Sequence, residues 1–117
     1  MLRISSDVAS RLNYQAWREN TAKIARGVQR DFSLPIDHEV LLECVRKIVS
    51  RCNSARITQY ENLYIIAAWD TVYGGIEARD PTGELTAIIE GSDPETIKLV
   101  SLRARLDELH QEGLLDG

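Results

Sequence analysis

The stretch that decides the fold runs from Thr58 to Gly75 and reads Thr-Gln-Tyr-Glu-Asn-Leu-Tyr-Ile-Ile-Ala-Ala-Trp-Asp-Thr-Val-Tyr-Gly-Gly. Thr58 with Glu61 three residues later is a capping-box signature, and Gly74-Gly75 is a helix stop because glycine accepts the left-handed conformation. The middle of the stretch carries no charge or amide, and its polar residues form no stripe around a helical wheel. A helix that is apolar on every side is usually buried among others. The sequence therefore predicts a buried central helix, about 59–73, around which the rest of the chain packs.

Two helices are predicted before this central one. Ser5 or Ser6 can cap a first helix that extends to about Asp31, and Gly27 inside it leaves room for a close neighbour. After a proline-containing turn, Asp37 can cap a second helix. Its apolar residues fall on one face at helical spacing: Leu41, Val45, Ile48 and Cys52. The short connection to the central helix favours antiparallel neighbours.

Residues 76–91 have two interpretations. Asp80-Pro81 can start a short helix that ends at Gly91. The same dipeptide, followed by Gly83 two residues later, can instead form the turn of a small hairpin. We favour the helix, because a lone hairpin is marginal in water.

A last helix is predicted from Pro94 to about Glu112, with Gly113 as its stop. Its leucines have coiled-coil-like 3-4-3 spacing, which favours packing on the bundle: Leu99, Leu102, Leu106 and Leu109. Residues 114–117 are expected to form a loose tail. The predicted fold is all-α, a helical bundle of four main helices plus one short helix, in a single domain over residues 1–117.

Charge is distributed unevenly along the chain of 117 residues, whose net charge is −4. Residues 1–32 carry six basic and three acidic groups, whereas residues 59–117 carry four basic and twelve acidic groups, a net −8. Because phosphate binding needs cations, an acidic half argues against nucleic acid as the partner. No apolar run approaches the roughly 20 residues of a membrane span, and Met1–Asp7 lacks the apolar core of a secretory signal. We therefore expect a cytoplasmic protein without a membrane partner.

Few residues suggest catalysis, metal binding or a bound cofactor. Cys44 and Cys52 lie too far apart on one helix for a disulfide, and both are expected to be buried free thiols. His38 and His110 sit at helix ends on polar backgrounds. Asp70 is the most interesting ionisable group, because it lies beside Trp69 on the helix expected to be buried. A buried carboxylate needs a partner, so we expect a structural ion pair with an arginine such as Arg46 or Arg79, and the alternative is a small enzyme built around Asp70. The sequence offers no second convergent group for such an enzyme.

Two surfaces are candidates for binding a partner protein. The first is an acidic rim, made of six carboxylates in nineteen residues: Glu77, Asp80, Glu84, Glu90, Asp93 and Glu95. Such a rim would steer a partner with a basic contact surface, or it would simply be a solvated edge with acids at helix N-termini. The second is Tyr14 and Trp17 with neighbouring arginines, because these residue types often anchor interfaces. Trp17 equally suits an ordinary core position.

The order of elements resembles that of small helical proteins encoded in bacterial gene clusters for type VI secretion. The likeness spans the opening Met1-Leu2-Arg3-Ile4-Ser5, the central helix ending Tyr73-Gly74-Gly75, Asp80-Pro81, Leu85-Thr86-Ala87-Ile88-Ile89, and Asp93-Pro94 before a leucine-spaced last helix. The resemblance implies an immunity or accessory protein, and it carries over no catalytic residues.

The leading hypothesis is a non-enzymatic immunity protein that binds and neutralises a cognate effector toxin in the cytoplasm. The alternative is an adaptor or chaperone that loads a type VI secretion effector, and that would use exposed apolar surface instead of charge. Neither hypothesis calls for a cofactor or a metal. A homo-oligomer is compatible with both, since the first helix is long for a chain of this size.

Overall fold

A computed structural model describes the backbone of residues 6–115 and the side chains of residues 18–115. The described chain forms five α-helices and one 3-10 turn, and no strand occurs within residues 6–115. The helices are α1 (Ser6–Phe32), α2 (His38–Ser54), α3 (Tyr60–Tyr73), α4 (Glu84–Glu90) and α5 (Glu95–Gln111), and the 3-10 turn is Glu77–Arg79. The predicted all-α fold of four long helices and one short one is confirmed, and the hairpin alternative for residues 76–91 is wrong.

Helices α1, α2 and α3 pack against one another, and α4 packs on α5. The Asp37 carboxylate accepts a hydrogen bond from the Glu39 backbone N–H at 2.9 Å, which confirms the predicted cap of α2. The predicted α2 face is buried, from Leu41 to Cys52. Gly27 of α1 does admit a close neighbour, because a Cβ there would lie 2.9 Å from Tyr64 Cε2. The cap predicted for α1, Ser5 or Ser6, stays a prediction, because neither side chain belongs to the described part of the chain.

The start of α3 differs from the prediction. The N-cap is Gln59, without a side-chain hydrogen bond, and the capping box of Thr58 and Glu61 does not form. Instead the Glu95 carboxylate, from the first turn of α5, accepts hydrogen bonds from the backbone N–H groups of Thr58 (2.7 Å) and Gln59 (2.9 Å). Glu95, which is distant in sequence, therefore accepts the backbone hydrogen bonds at the start of α3 that the local capping box was expected to satisfy. The predicted stop is confirmed, because Gly74 is left-handed at φ 72°.

The short helix α4 begins later than its sequence suggested. Pro81 does not occupy its first position, because the helix starts at Glu84 after a left-handed Gly83. Asp80 acts from outside the helix: its carboxylate accepts from the backbone N–H of Leu85 at 2.8 Å and from that of Thr82 at 3.1 Å.

The C-terminal segment is better packed than predicted. All four leucines of the α5 seam are buried, which confirms that the seam packs on the bundle. After the left-handed Gly113, the Leu114 N–H donates to the Leu109 carbonyl at 3.0 Å, and Leu115 is buried in the core. The predicted loose tail is thus wrong for these two leucines, because an apolar side chain here gains more from burial than the segment loses in freedom. Residues 116–117 of that tail lie outside the described residues.

Helix α3 lies centrally, but its own chain does not cover it completely. Ile66 and Ala67 are fully buried. On the other side, Ile65 and Val72 are 40% and 42% exposed. The apolar periodicity of α3 predicted neighbours on every side, and the described chain supplies them on most sides only.

Candidate functional site

The predicted acidic rim is largely consumed by contacts inside the chain. Asp80 is the clearest case, because its side chain is fully buried and faces Arg105, whose side chain is only 7% exposed. The Arg105 guanidinium donates to Asp80 Oδ1 at 2.9 Å and to Oδ2 at 3.3 Å. The hydrogen bond from Arg105 makes the largest contribution to the pKa of Asp80. Together with the hydrogen bonds from Leu85 and Thr82, it holds this pKa well below its usual range. Asp80 therefore fixes α4 against α5 and is not available on a binding surface.

Arg105 is the centre of a small cluster of carboxylates. Besides Asp80, it pairs with Glu108 at 2.9 Å and with Glu84 at 3.3 Å, and both acids remain more than half exposed. Glu84 thus stays at the surface with its charge partly compensated.

Glu77 and Glu90 converge on another arginine, Arg51 of α2. Arg51 Nε donates to Glu77 at 3.2 Å, and Arg51 Nη2 donates to Glu90 at 2.7 Å. Burial acts to raise the pKa of Glu77, but hydrogen bonds from Thr86 and Arg51 outweigh it and the pKa is lowered. These two acids therefore tie the 3-10 turn and α4 to α2.

The remaining predicted partner residues have different positions. Glu95 is occupied at the start of α3, as described above. Asp93 is exposed and makes no hydrogen bond or ion pair with another described residue. The structure thus brings the six acids into one region but leaves few of them free. The side chains of Tyr14 and Trp17 lie outside the described residues, so the second predicted surface stays a prediction.

Asp70 does not form the predicted ion pair. Its carboxylate accepts a hydrogen bond from the Ile76 backbone N–H at 3.1 Å, which fastens the glycine turn after α3. Arg46 pairs with Glu43 instead, and Arg79 forms no ion pair with a described residue. Burial, partly offset by the Ile76 hydrogen bond, raises the pKa of Asp70. The turn placed a backbone donor within reach of the carboxylate, so no arginine was needed.

Other reactive groups are dispersed. Cys52 is buried as predicted and burial raises its pKa to about 12, but Cys44 is exposed, so that part of the prediction is wrong. The helical register puts Cys44 just outside the buried α2 face. His38 Nδ1 lies 3.3 Å from Gln29 Oε1. Among the residues whose side chains are described, no three His, Cys, Asp or Glu side chains come together as a metal site would need.

A polar depression lies beside the start of α5, and Lys98 in its lining is already hydrogen-bonded within the chain. Lys98 is buried and donates to the carbonyl oxygens of Ala55 at 2.9 Å and Ile89 at 2.7 Å. This lysine therefore caps carbonyl groups at the C-terminal ends of α2 and α4. Glu95, on the same depression, is likewise occupied.

An open feature with a mostly apolar lining lies between α3 and α5. We call it the α3–α5 groove; its volume is about 460 Å³. Its lining is mostly apolar or aromatic: Phe32, Asn62, Tyr64, Ile65, Ala68, Trp69, Val72, Tyr73, Leu99, Val100 and Arg103. Val100 is 64% exposed and Phe32 is 48% exposed, so large apolar side chains face solvent. Exposed apolar side chains that line a concave surface are a common feature of interaction sites.

Among the described lining residues of the groove, one is charged, Arg103. It is exposed and makes no hydrogen bond or ion pair within the part of the chain whose side chains are described. At another part of the lining, the Tyr64 hydroxyl donates to the Asp31 carboxylate, which joins α3 to the end of α1. Burial, with that hydrogen bond, raises the pKa of Tyr64 to about 12. The groove is therefore mostly apolar, and Arg103 is the one cation without an ion-pair partner among its described lining residues.

Sequence reasoning missed this groove. The signals that pointed to it were the missing polar stripe on α3 and one apolar residue of α5, Val100, that stands outside the leucine seam.

Comparison with known proteins adds no assignment. No protein-family model, no curated protein and no solved structure matches this chain. Within residues 6–115, none of the helices combines the length and the apolar composition that crossing a membrane requires.

Proposed function

We propose that this chain is a non-catalytic protein-binding module and that the α3–α5 groove is its binding site. The exposed apolar lining carries the proposal. Val100, Ile65 and Val72 are each at least 40% exposed on helices whose opposite faces are fully packed. Apolar side chains that are left on one rim of an otherwise buried helix gain free energy only when another molecule covers them.

Of the two roles raised by the sequence, the groove favours an adaptor or chaperone that loads a type VI secretion effector. An adaptor of this kind would use exposed apolar surface. The charge-driven immunity protein loses support, because Asp80 is buried and Glu77, Glu90 and Glu95 already have partners in the chain. Free thiols at Cys44 and Cys52 suit a reducing compartment, so we place the proposed activity in the cytoplasm.

The immunity protein remains the second candidate, for one specific reason. Asp93 is exposed and unpaired within the described side chains, and Glu84 and Glu90 keep more than half of their side chains exposed. These three acids could still guide a basic toxin surface by long-range attraction.

The test is co-expression with the product of the neighbouring gene, followed by co-purification of wild-type protein and two matched variants. Val100→Asp puts a charge in the groove, and Val40→Asp puts the same charge on an exposed α2 position, 55% exposed, outside the groove lining. We expect Val100→Asp to weaken the complex by tenfold or more, about 1.4 kcal/mol, and Val40→Asp to leave it unchanged. Equal effects of both variants, or no complex at micromolar concentrations, would reject the groove as the binding site.

Salt dependence separates the two roles. Apolar binding should persist from 50 to 500 mM salt, because screening acts on charges. A complex that dissociates in this range and is insensitive to Val100→Asp supports the acidic immunity surface instead.

A further inference from the structure

We infer that the α3–α5 groove takes an amphipathic helix of the partner protein, and that an acidic residue beside the apolar face of this helix pairs with Arg103. The inference rests on the proposed function, because it names the ligand class of the same site.

The shape of the groove suits a helix. The Glu95 hydrogen bonds hold the first turn of α5 beside the residues that precede α3, so both helices start side by side. Further along, Ile65, Trp69 and Val72 of α3 line the groove together with Leu99 and Val100 of α5. Side-chain rows of two neighbouring helices form the kind of trough into which a third helix packs, with anchors at positions i, i+3, i+4 and i+7.

Backbone hydrogen bonding argues against an extended peptide. The groove walls are α-helices, whose backbone N–H and C=O groups bond within each helix. No strand edge exists within residues 6–115 to pair with an extended ligand. A strand lying in this apolar trough would bury its own backbone polar groups unpaired, which is costly, whereas a helix brings them already satisfied.

Charge selects among amphipathic helices. Among the residues whose side chains are described, Arg103 is the one charged residue in the groove lining, and none of them forms an ion pair with it. A ligand that covers the groove removes water from this guanidinium, so a carboxylate in the ligand is favoured and an ammonium group is disfavoured. The ligand helix is therefore acidic where it meets α5.

The same charge argues against a second copy of this chain as the occupant. In a two-fold dimer whose axis passes through the groove, each groove meets an identical groove, so each lining faces the other. Within residues 18–115 no acidic side chain lines the groove, so two copies placed groove to groove would bring Arg103 against an apolar surface or against its own equivalent.

The test uses two synthetic 18-residue helical peptides with one leucine face, flanked in the first by glutamate and in the second by lysine. Trp69 lines the groove, and the chain has two tryptophans, so a Trp17→Phe background makes Trp69 fluorescence the binding signal. We expect the glutamate peptide to bind about fivefold more tightly than the lysine peptide, as partly screened charge pairs allow. Arg103→Lys should keep this preference and Arg103→Glu should reverse it.

Three results would overturn the inference. They are equal affinity for the two peptides, a preference that does not follow the charge at position 103, and sedimentation showing a dimer that Val100→Asp dissociates. The result for the proposed function is separate. If Val100→Asp abolishes the partner complex while neither peptide binds, the binding module stands and the acidic helix is rejected; if the partner complex is also insensitive, both fail.

Discussion

Replacing Asp80 by asparagine should destabilise the protein by about 3 kcal/mol. Both carboxylate oxygens of Asp80 accept from Arg105, and each also accepts from a backbone N–H, of Thr82 or Leu85. An asparagine amide keeps one accepting oxygen and turns an NH₂ group toward donors in either orientation. The substitution thus removes the negative charge and creates a donor–donor clash in a site with no exposed side-chain surface.

The magnitude follows from the surroundings of Arg105. Removing one partner of a buried ion pair typically costs about 3 to 5 kcal/mol, because the other charge is left uncompensated. In the variant, Arg105 keeps its ion pairs with Glu108 at 2.9 Å and with Glu84 at 3.3 Å. Its charge therefore stays partly compensated, and the lower end of this range applies. A domain of this size has about 5 to 15 kcal/mol of stability, so the variant should remain folded and measurable.

The assay is urea unfolding followed by far-ultraviolet circular dichroism at pH 7. Asp93→Asn is the matched control, because Asp93 is an exposed acid of the same region, and we expect a change within about 0.5 kcal/mol. Arg105→Met in both backgrounds completes a double-mutant cycle, which should give a coupling free energy above about 1.5 kcal/mol. An Asp80→Asn variant within 1 kcal/mol of wild type would refute the reasoning.

The same site has a pH signature. The pKa of Asp80 in the folded protein lies below its unfolded value of about 3.9. Its contribution to the free energy of unfolding is therefore present above pH 4 and is lost as the pH falls further. The difference in the free energy of unfolding between wild type and Asp80→Asn should therefore be constant from pH 5 to 7 and shrink below pH 4. A difference that grows in acid contradicts the assignment of a depressed pKa.

Three further predictions concern local contacts. Glu95→Ala should cost about 1 kcal/mol, because two backbone N–H groups before α3 lose their acceptor, whereas Glu61→Ala should be near neutral; urea unfolding distinguishes them. Maleimide labelling followed by mass spectrometry should modify Cys44 in the folded protein and reach Cys52, whose pKa is raised to about 12 by burial, only after unfolding. Gly74→Ala should lower stability by about 1 kcal/mol, because φ there is 72°, and a thermal melt with an unchanged midpoint would contradict this.

Features that depend on residues close in sequence were predictable. The stop at Gly74 and the cap at Asp37 each involve a few neighbouring residues, so the amino-acid types alone specify them. The buried faces of α2 and α5 follow from periodicity, because a helix with one apolar stripe has only one way to pack.

Side-chain partners that are distant in sequence were not predictable. The choice between Glu61 and Glu95 at the start of α3 depends on how α5 docks, which no local pattern encodes. Asp80 has the same difficulty: as a residue before proline it predicts a local cap, but its position opposite Arg105, 25 residues later, turns it into a buried ion pair. Composition therefore identified an acidic region and could not say that the fold itself would occupy most of its charges.

The groove shows what the hydrophobic pattern of the sequence cannot predict, namely which molecule packs against the exposed side of α3. A helix that is apolar on every side, as α3 is, is expected to have neighbours on every side. This pattern does not indicate whether the same chain or another molecule supplies them. Packing by α1 and α2 accounts for Ile66 and Ala67, whereas Ile65 and Val72 stay open. If these residues served only the fold of this chain, replacing Val72 by threonine would leave every interaction of the protein unchanged and improve its solubility. If they serve a partner, that polar change must weaken the complex, and the unmatched side of α3 is then a surface that another protein covers.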